Sequence, residues 1–182
     1  DASINEHIDR MRHSATRSLF ERSDVIIVAS VSCIYGLGPV ETYSKMILSL
    51  FKNQEISRDE IVKKFVNLQY KRNNFNFTRG SFRLRGDIVE IFPAHLEATA
   101  WRIEMFGNNI DSIYEIDSLT GEKIKLLDKI KIYANSHYIA SKPTLEQAIM
   151  QIESDLVKRI KELKKQNKLL EMQRLEQRTK YD

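Results

Sequence analysis

The sequence has little cysteine, proline or glycine, and it has no long apolar run. Cys33 is the only cysteine among 182 residues, so no intrachain disulfide can form. A chain without disulfides is typical of reducing compartments such as the cytoplasm. No apolar run approaches the roughly 20 residues that a membrane-spanning helix needs. The start, DASINEHIDR, lacks both the apolar core of a signal peptide and an initiator methionine. We therefore expect a piece of a longer cytoplasmic protein.

The sequence also lacks the common motifs of catalysis and metal binding. It contains neither a GxxxxGK(S/T) phosphate loop nor a DExx acidic box that would hold magnesium. It has no HExxH and no cysteine–histidine set at zinc spacing. We expect no catalytic residue, metal or cofactor in this chain by itself. Each of the four histidines is isolated along the sequence and is interpreted as structural: His7, His13, His95 and His137.

What is present is an ordinary globular composition with a mild excess of positive charge. Charged residues make up 30% of the chain, and the net charge is +4. Such a weak excess permits a nucleic-acid partner without requiring one, because only a concentrated basic patch is strong evidence. The placement of the arginines therefore matters more than their number.

The beginning of the chain predicts a helix followed by a buried strand. Apolar residues at helical spacing predict a helix over residues 4–22, with Ser3 as N-cap and Glu6 at the capping-box position. The apolar, β-branched run Val25–Val31 predicts a strand buried on both faces, as in parallel α/β sheets. This run ends in the breaker GLGP at residues 36–39.

The middle of the chain predicts two short helices and then a sheet. The helices are expected over residues 40–51 and 58–69, the second with Ser57 as N-cap and Glu60 at its capping-box position. Between residues 70 and 133, short alternating runs separated by turn residues are typical of an antiparallel sheet.

The end of the chain predicts a long amphipathic helix. Thr144 is expected as its N-cap, with Gln147 in the capping box, and a polar stretch at residues 164–168 predicts a break into a second helix. The apolar residues three or four positions apart that share one face are Leu145, Ile149, Ile152, Leu156, Ile160 and Leu163.

The stretch RGSFRLRGDIVEIFP, residues 79–93, predicts a β-hairpin with a two-residue turn at Gly86 and Asp87. That turn sets Arg83 opposite Glu90 and leaves Arg85 without an opposing acid. One face then carries arginine side chains and Glu90. The other face is apolar and buried, with Phe82, Leu84, Val89 and Ile91.

Neighbouring strands extend this arginine-bearing surface. In AWRIEMFG, alternation puts Arg102, Glu104 and Phe106 on one face. Upstream, Arg72 and Arg79 flank a predicted strand at residues 75–77. Charge alternation of this kind is typical of a solvated sheet face, but arginine favours bidentate, partly desolvated pairing, which weighs against that interpretation. The residues alone leave open whether the partner is water, a nucleic acid or an acidic protein. We call the predicted surface the arginine face: Arg72, Arg83, Arg85, Arg102 and Glu104.

Four segments together resemble the UvrB family, a component of the ABC excinuclease of bacterial nucleotide excision repair: DVIIVASVSCIYGLG, FRLRGDIVEIFP, SLTGE and RLEQRTKYD. The resemblance covers essentially the whole chain. The hairpin also occurs in the transcription-repair coupling factor, whose matching domain is similar, whereas SVSCIYGLG and LEQRTKYD favour the UvrB family.

The resemblance implies an α+β fold in three parts. Residues 1–39 would be a strand–helix piece of the first RecA-like helicase lobe. Residues 40–138 would form domain 2, a small antiparallel-sheet domain with short helices, and residues 139–182 would begin a long helical subdomain. The parent protein would be a helicase-like ATPase that receives damaged DNA from UvrA and recruits UvrC, with ATP and magnesium bound outside this chain.

The resemblance also implies two sets of binding residues. The family's UvrA-contacting positions fall on the arginine face. Its DNA-contacting positions are less specific, although hydroxyls and a tyrosine can bond phosphates or stack on a base. They fall on Arg12, Ser30, Ser32 and Tyr35.

Two further classes of function remain open from the residues alone. The arginine face could bind single-stranded nucleic acid directly, since Phe75, Phe77 and Phe82 are interleaved with its arginines. The hairpin phasing argues against this, because Phe82 points away from Arg83 and acidic side chains on the face repel phosphates. The chain could also be a structural domain without a partner.

Overall fold

The computed structural model describes residues 5–34, 37–38, 40–137 and 142–181. The chain divides into two compact units, the first ending at Ile139 and the second beginning at Ala140. Helices and mostly antiparallel strands are both present, which confirms the predicted α+β class. Among the described residues, no helix combines the length and apolar character needed to cross a membrane.

In its described residues, the first unit contains three α-helices and eight strands. The helices are α1 (Glu6–Glu21), α2 (Val40–Lys45) and α3 (Arg58–Asn67). The strands are β1 (Ile47–Phe51), β2 (Lys71–Arg72), β3 (Ser81–Arg85), β4 (Ile88–Ile91), β5 (Thr99–Phe106), β6 (Asn109–Asp117), β7 (Lys123–Leu127) and β8 (Lys129–Tyr133).

Six strands form one sheet in the order β2-β3-β4-β5-β6-β7, and β1 pairs with β8 in a second, two-stranded sheet. Every neighbouring pair is antiparallel except β2 and β3, which run parallel. The prediction of a mainly antiparallel sheet between residues 70 and 133 is therefore confirmed. Since consecutive strands are neighbours from β3 to β7, short turns suffice to connect them.

The main core lies between the six-stranded sheet, α3 and the two-stranded sheet. Ile61 and Phe65 of α3 are fully buried, and the ring of Phe65 meets that of Phe82 edge-on at 5.5 Å between centroids. Burying each such side chain stabilises the fold by roughly 1.5–3 kcal/mol. The start of α3 is as predicted, because Ser57 and Glu60 form a reciprocal capping box.

Two predicted helices differ from the structure at their ends. Helix α1 begins at Glu6 with Asn5 as its N-cap, whose side chain accepts a hydrogen bond from the backbone N–H of His7. The predicted N-cap, Ser3, lies outside the described residues. The helix predicted over 40–51 ends at Lys45, and Ile47–Phe51 is a strand instead. Pairing with β8 decides this, because it buries Leu48 and Leu50 in the core.

The strand predicted at Val25–Val31 is not formed. Residues 22–30 follow α1 without helix or strand, and Ile26 and Val28 are almost fully exposed. A three-ten turn follows at Val31–Ile34. The sequence pattern is that of a buried strand, but no described strand pairs with this segment.

The second unit consists of α4 (Lys142–Lys165) and α5 (Leu169–Tyr181), which pack against each other and bury Leu163. The predicted break is confirmed, and Asn167 adopts the left-handed conformation with a φ of 57° that often ends a helix. The predicted N-cap at Thr144 is wrong, because α4 already begins at Lys142.

Candidate functional site

The hairpin formed by β3 and β4 has the predicted register. Arg83 pairs with Glu90, Arg85 pairs with Ile88, and Gly86 adopts a φ of 61° in the two-residue turn. Strand β5 continues the surface, with Arg102 opposite Glu90. Glu90 therefore has an arginine in register on each side.

Glu90 is bonded to both of these arginines and is only 1% exposed. Arg83 donates its Nε–H to one carboxylate oxygen, and Arg102 donates its Nε–H to the other at 2.7 Å. Only 12% of the Arg83 side chain and 18% of the Arg102 side chain are exposed. A buried carboxylate needs such partners, since an unpaired charge in the interior is costly.

This geometry differs from the solvent-facing arginine surface that the alternation predicts. The guanidinium of Arg83 is paired with Glu90 and also lies 4.2 Å from the ring centroid of Phe77, a cation–π contact. Planar guanidinium groups suit such combined pairing and stacking better than ammonium groups do. Arg83 and Arg102 are thus largely held inside the domain, although they are on the expected face.

Glu104, the acidic member of the arginine face, is also paired. It accepts hydrogen bonds from Lys123 Nζ at 2.7 Å and from Ser112 Oγ at 3.0 Å. Partial burial raises the pKa of Glu104, but the hydrogen bonds from Lys123 and Ser112 outweigh it and hold the pKa below its usual range. Glu104 therefore stays ionised and neutralises Lys123 rather than an arginine.

Arg85 and Arg72 are the exposed arginines of the arginine face. Arg85 follows the alternation of Arg83 and has Ile88 as its cross-strand neighbour, as expected. Arg72 is in register with Phe82 in the parallel pair of β2 and β3. Residues in register point to the same side of a sheet, so Arg72 is on the side of Phe82 and not on that of Arg83. Arg72 therefore borders the arginine face at the edge of the sheet.

The aromatic strand predicted at residues 75–77 is a loop. The side chain of Asn73 accepts hydrogen bonds from the backbone N–H groups of Phe75 and Asn76 at 3.1 and 3.0 Å, which is a local alternative to strand pairing. Phe77 turns onto the arginine face, where it packs on Phe92 and Arg83. Arg79 does not take part in this surface, because its guanidinium is paired with the carboxylate of Asp9 on α1 at 3.0 Å.

The residues expected to contact DNA lie on two separate elements. Arg12 is on α1 and lines a cavity of about 340 Å³ that also includes Arg79 and His137. Ser30 and Ser32 are exposed and joined by a hydrogen bond of 3.0 Å between their hydroxyls. The prediction for Tyr35 lies outside the described residues.

Two histidines that are far apart in the sequence meet in the first unit. The rings of His13 on α1 and His137 after β8 stack with 4.1 Å between centroids. Burial, followed by the nearby His137, lowers the pKa of His13 to about 4, and burial likewise lowers the pKa of His137. Both rings are therefore neutral at pH 7, and Thr16 Oγ1 lies 3.0 Å from Nε2 of His137.

Asp9 completes a group whose ligand atoms lie within 4.8 Å of one another: Asp9, His13 and His137. Two features oppose a cation there. The Asp9 carboxylate is already bonded to the guanidinium of Arg79, and Nε2 of His137 already lies within hydrogen-bond distance of Thr16 Oγ1, at 3.0 Å. We interpret this group as a structural connection between α1 and the segment after β8.

Comparison with known proteins identifies the family. The UvrB interaction domain family matches residues 48–138, which is half of the chain. The chain belongs to the UvrB family. The UvrB third helical domain family matches residues 143–182. Over all 182 residues the chain is 57% identical to the UvrABC system protein B of Clostridium botulinum strain Langeland, and 53% identical to that of Bacillus licheniformis.

The family match confirms the resemblance that the sequence motifs indicated. The chain spans 28% of the length of these relatives, and the six-stranded sheet lies in the part that matches the UvrB interaction domain. The expected limits at residues 39 and 138 stay predictions. The pairing of Glu90 with a second arginine is not among the sequence predictions, although an arginine in register on each side of Glu90 could have indicated it.

Proposed function

We propose that this chain is the part of a UvrB protein that docks onto UvrA, and that it does so through the arginine face and its edge. The observation that carries the proposal is Arg85, which is exposed on a sheet face where Arg83, Arg102 and Glu104 are paired within the domain. Membership of the UvrB interaction domain family supports a protein partner for this surface.

The paired residues and the exposed residues have different tasks in this mechanism. Glu90 fixes the two guanidinium groups of Arg83 and Arg102, so the face is already ordered before a partner arrives. Arg85, and Arg72 at the edge, then offer bidentate donors to carboxylates of an acidic surface on UvrA. Complementary charge of this kind accelerates association and gives specificity more than it adds affinity.

The activity of the parent protein belongs to the same proposal. In a cytoplasmic excision repair system the parent would receive damaged DNA from UvrA, contact the DNA backbone with Arg12, Ser30, Ser32 and Tyr35, and recruit UvrC. We assign ATP and magnesium to parts of the parent outside this chain, because the sequence has no phosphate loop or acidic box to hold them. Family membership favours UvrB over the coupling factor.

A second candidate function is direct binding of single-stranded DNA. Phe75 is fully exposed next to the arginine-bearing hairpin, and a base can stack on such a ring. We favour the protein partner because the two carboxylates of the face, Glu90 and Glu104, consume three of its cations and leave little positive charge for a phosphate backbone.

One titration separates the two candidates. Association of the 182-residue chain with purified UvrA is followed by interferometry over a series of salt concentrations, alongside a labelled oligonucleotide. We expect binding to UvrA with an association rate that falls as salt rises, and no binding to the oligonucleotide at physiological salt. Tight, strongly salt-dependent binding to DNA without binding to UvrA would overturn the proposal.

A further inference from the structure

Two phenylalanines beside the arginine face are the most exposed of the eight in the chain. Phe75 is fully exposed and Phe106 is 80% exposed, whereas none of the other six is more than 48% exposed. Keeping a phenylalanine in water forgoes roughly 1.5–3 kcal/mol of burial free energy. Single exposed apolar residues are common on proteins, so their placement decides what they mean.

Phe75 is held in place by its loop. Asn73 donates its backbone N–H to the carbonyl of Phe82 at 2.9 Å, and its side chain accepts from the N–H of Phe75. The side chain of Asn74 accepts from the N–H of Leu84 at 3.2 Å, which fixes the loop to the edge of β3. Phe77 anchors the other end of the loop on Arg83. The ring of Phe75 is therefore presented from an ordered backbone.

Phe106 occupies the other side of the same end of the sheet. It is the last residue of β5, and alternation places it on the face of Arg102 and Glu104. The N–H of Met105 bonds the carbonyl of Asp87 at 2.9 Å, so the end of β5 lies against the hairpin turn that follows Arg85. Adjacent strands are about 4.8 Å apart, so β3 and β5 are separated by roughly 10 Å.

We propose that Phe75 and Phe106 are apolar anchors that flank Arg85, and that each inserts into an apolar pocket within the acidic surface of UvrA. The inference rests on the proposed function and deepens it, because it adds the residues that retain the partner once charge has guided it. Interfaces draw most of their binding energy from a few aromatic and arginine residues, and this end of the sheet presents two exposed aromatic rings beside the exposed Arg85.

The anchors and the arginine act on different rates. Arg85 contributes long-range attraction, so its loss lowers the association rate and the sensitivity to salt. The two rings make short-range contacts that form only in the complex, so their loss raises the dissociation rate. This separation allows the inference to fail while the proposed function stands.

Three variants of the 182-residue chain provide the test: Phe75→Ser, Phe106→Ser and, as a matched control, Leu119→Ser. Leu119 is equally exposed but lies in the turn between β6 and β7, at the opposite end of β5. Binding to purified UvrA is measured by interferometry, and folding is checked by circular dichroism. We expect dissociation at least tenfold faster for each phenylalanine variant, an unchanged association rate, and no change for Leu119→Ser.

The other outcomes are equally decisive. If both phenylalanine variants dissociate as slowly as Leu119→Ser while Arg85→Glu weakens association, the anchors are refuted and the docking proposal remains. If the unaltered chain does not bind UvrA, both ideas fail. If Phe75→Ser instead abolishes binding to a labelled single-stranded oligonucleotide, the ring is a base-stacking residue and the inference is overturned.

Discussion

Glu90 determines how the arginines of this surface can act. Its carboxylate lies between Arg83 and Arg102 and is bonded to both, so neither guanidinium is free to leave the sheet. Arg85 lies on the same strand as Arg83, but its neighbour across the hairpin is the apolar Ile88 instead of a carboxylate. Register alone therefore separates arginines that stabilise the domain from an arginine that is available to a partner.

Removing the charge of Glu90 tests this division. We expect Glu90→Gln to lower the free energy of unfolding by roughly 1.5–3 kcal/mol, because two largely buried guanidinium groups lose their anionic acceptor. Urea denaturation of the variant and of the unaltered chain measures the difference. The control is Glu122→Gln, because Glu122 is exposed and directly precedes β7; this variant should change stability little. Equal stability of the two variants would show that Glu90 is not structural.

Buried histidines predict how stability depends on pH. Burial lowers the pKa of His95 to about 3 and, together with the nearby His137, that of His13 to about 4. The unfolded chain, with histidine pKa values of about 6.5, binds protons that the folded chain excludes. This difference in pKa stabilises the folded chain fully above pH 6.5. As pH falls below 6.5, the free energy of unfolding decreases by about 1.4 kcal/mol per pH unit for each histidine.

Denaturation at pH 7.0 and pH 5.5 checks this expectation. We expect lower stability at pH 5.5, and a smaller difference for His95→Phe, which keeps a ring beside Trp101 and Tyr133 without a titrating nitrogen. An identical pH dependence in the variant and the unaltered chain would contradict the burial of a neutral His95.

Among the secondary-structure elements, those whose pairing is local in the sequence can be predicted, whereas those that depend on a distant strand cannot. The hairpin of β3 and β4 is predictable because its turn and alternation lie within ten residues. The prediction of helix at β1 is wrong because the strand's partner, β8, lies about 80 residues away along the chain. The prediction of strand at residues 75–77 is wrong because the Asn73 side chain bonds the backbone and prevents pairing.

Alanine substitutions at two turn glycines, Gly80 and Gly107, are expected to lower the stability of the fold by different amounts. Both Gly80 and Gly107 have positive φ, 79° and 60°, so an alanine is strained at each by about 1 kcal/mol. A Cβ at Gly80 would also lie 2.5 Å from Oδ1 of Asn135, whereas nothing lies within 4 Å at Gly107. We expect Gly80→Ala to cost roughly 1–3 kcal/mol more than Gly107→Ala. Thermal denaturation measures both, and equal losses would contradict the close contact.

At the scale of the whole molecule, the sheet domain has a core of its own and the segment before it does not. Most apolar side chains of residues 25–31 are exposed, including Ile26 and Val28, whereas the strands from β3 to β8 border a continuous core. We expect elastase, which cleaves after small apolar residues, to cut first within 25–31 and to leave 40–137 intact. Mass spectrometry of the products identifies the sites, and early cleavage between residues 75 and 133 would contradict this.

The sequence predicts which residues share the candidate site but not which of them are paired within the domain. Alternation places Arg83, Arg85, Arg102 and Glu104 on one face, and the structure agrees. Which of them are paired depends on rotamers and on burial by Phe77, Lys123 and the β6 strand, which no local pattern encodes. For the same reason, the stacking of His13 on His137 cannot be seen in a sequence that separates them by more than 100 residues.

Docking onto UvrA as proposed requires that the exposed Arg85 attract an acidic protein surface. Arg85→Glu and Lys125→Glu change the charge of the chain equally, and both residues are exposed on the six-stranded sheet, but Lys125 lies on β7, far from the hairpin. The direct measurement is the affinity of both variants for purified UvrA by calorimetry at low salt. We expect at least a tenfold loss of affinity for Arg85→Glu and little change for Lys125→Glu, whereas equal affinities of the two variants would contradict the docking proposal.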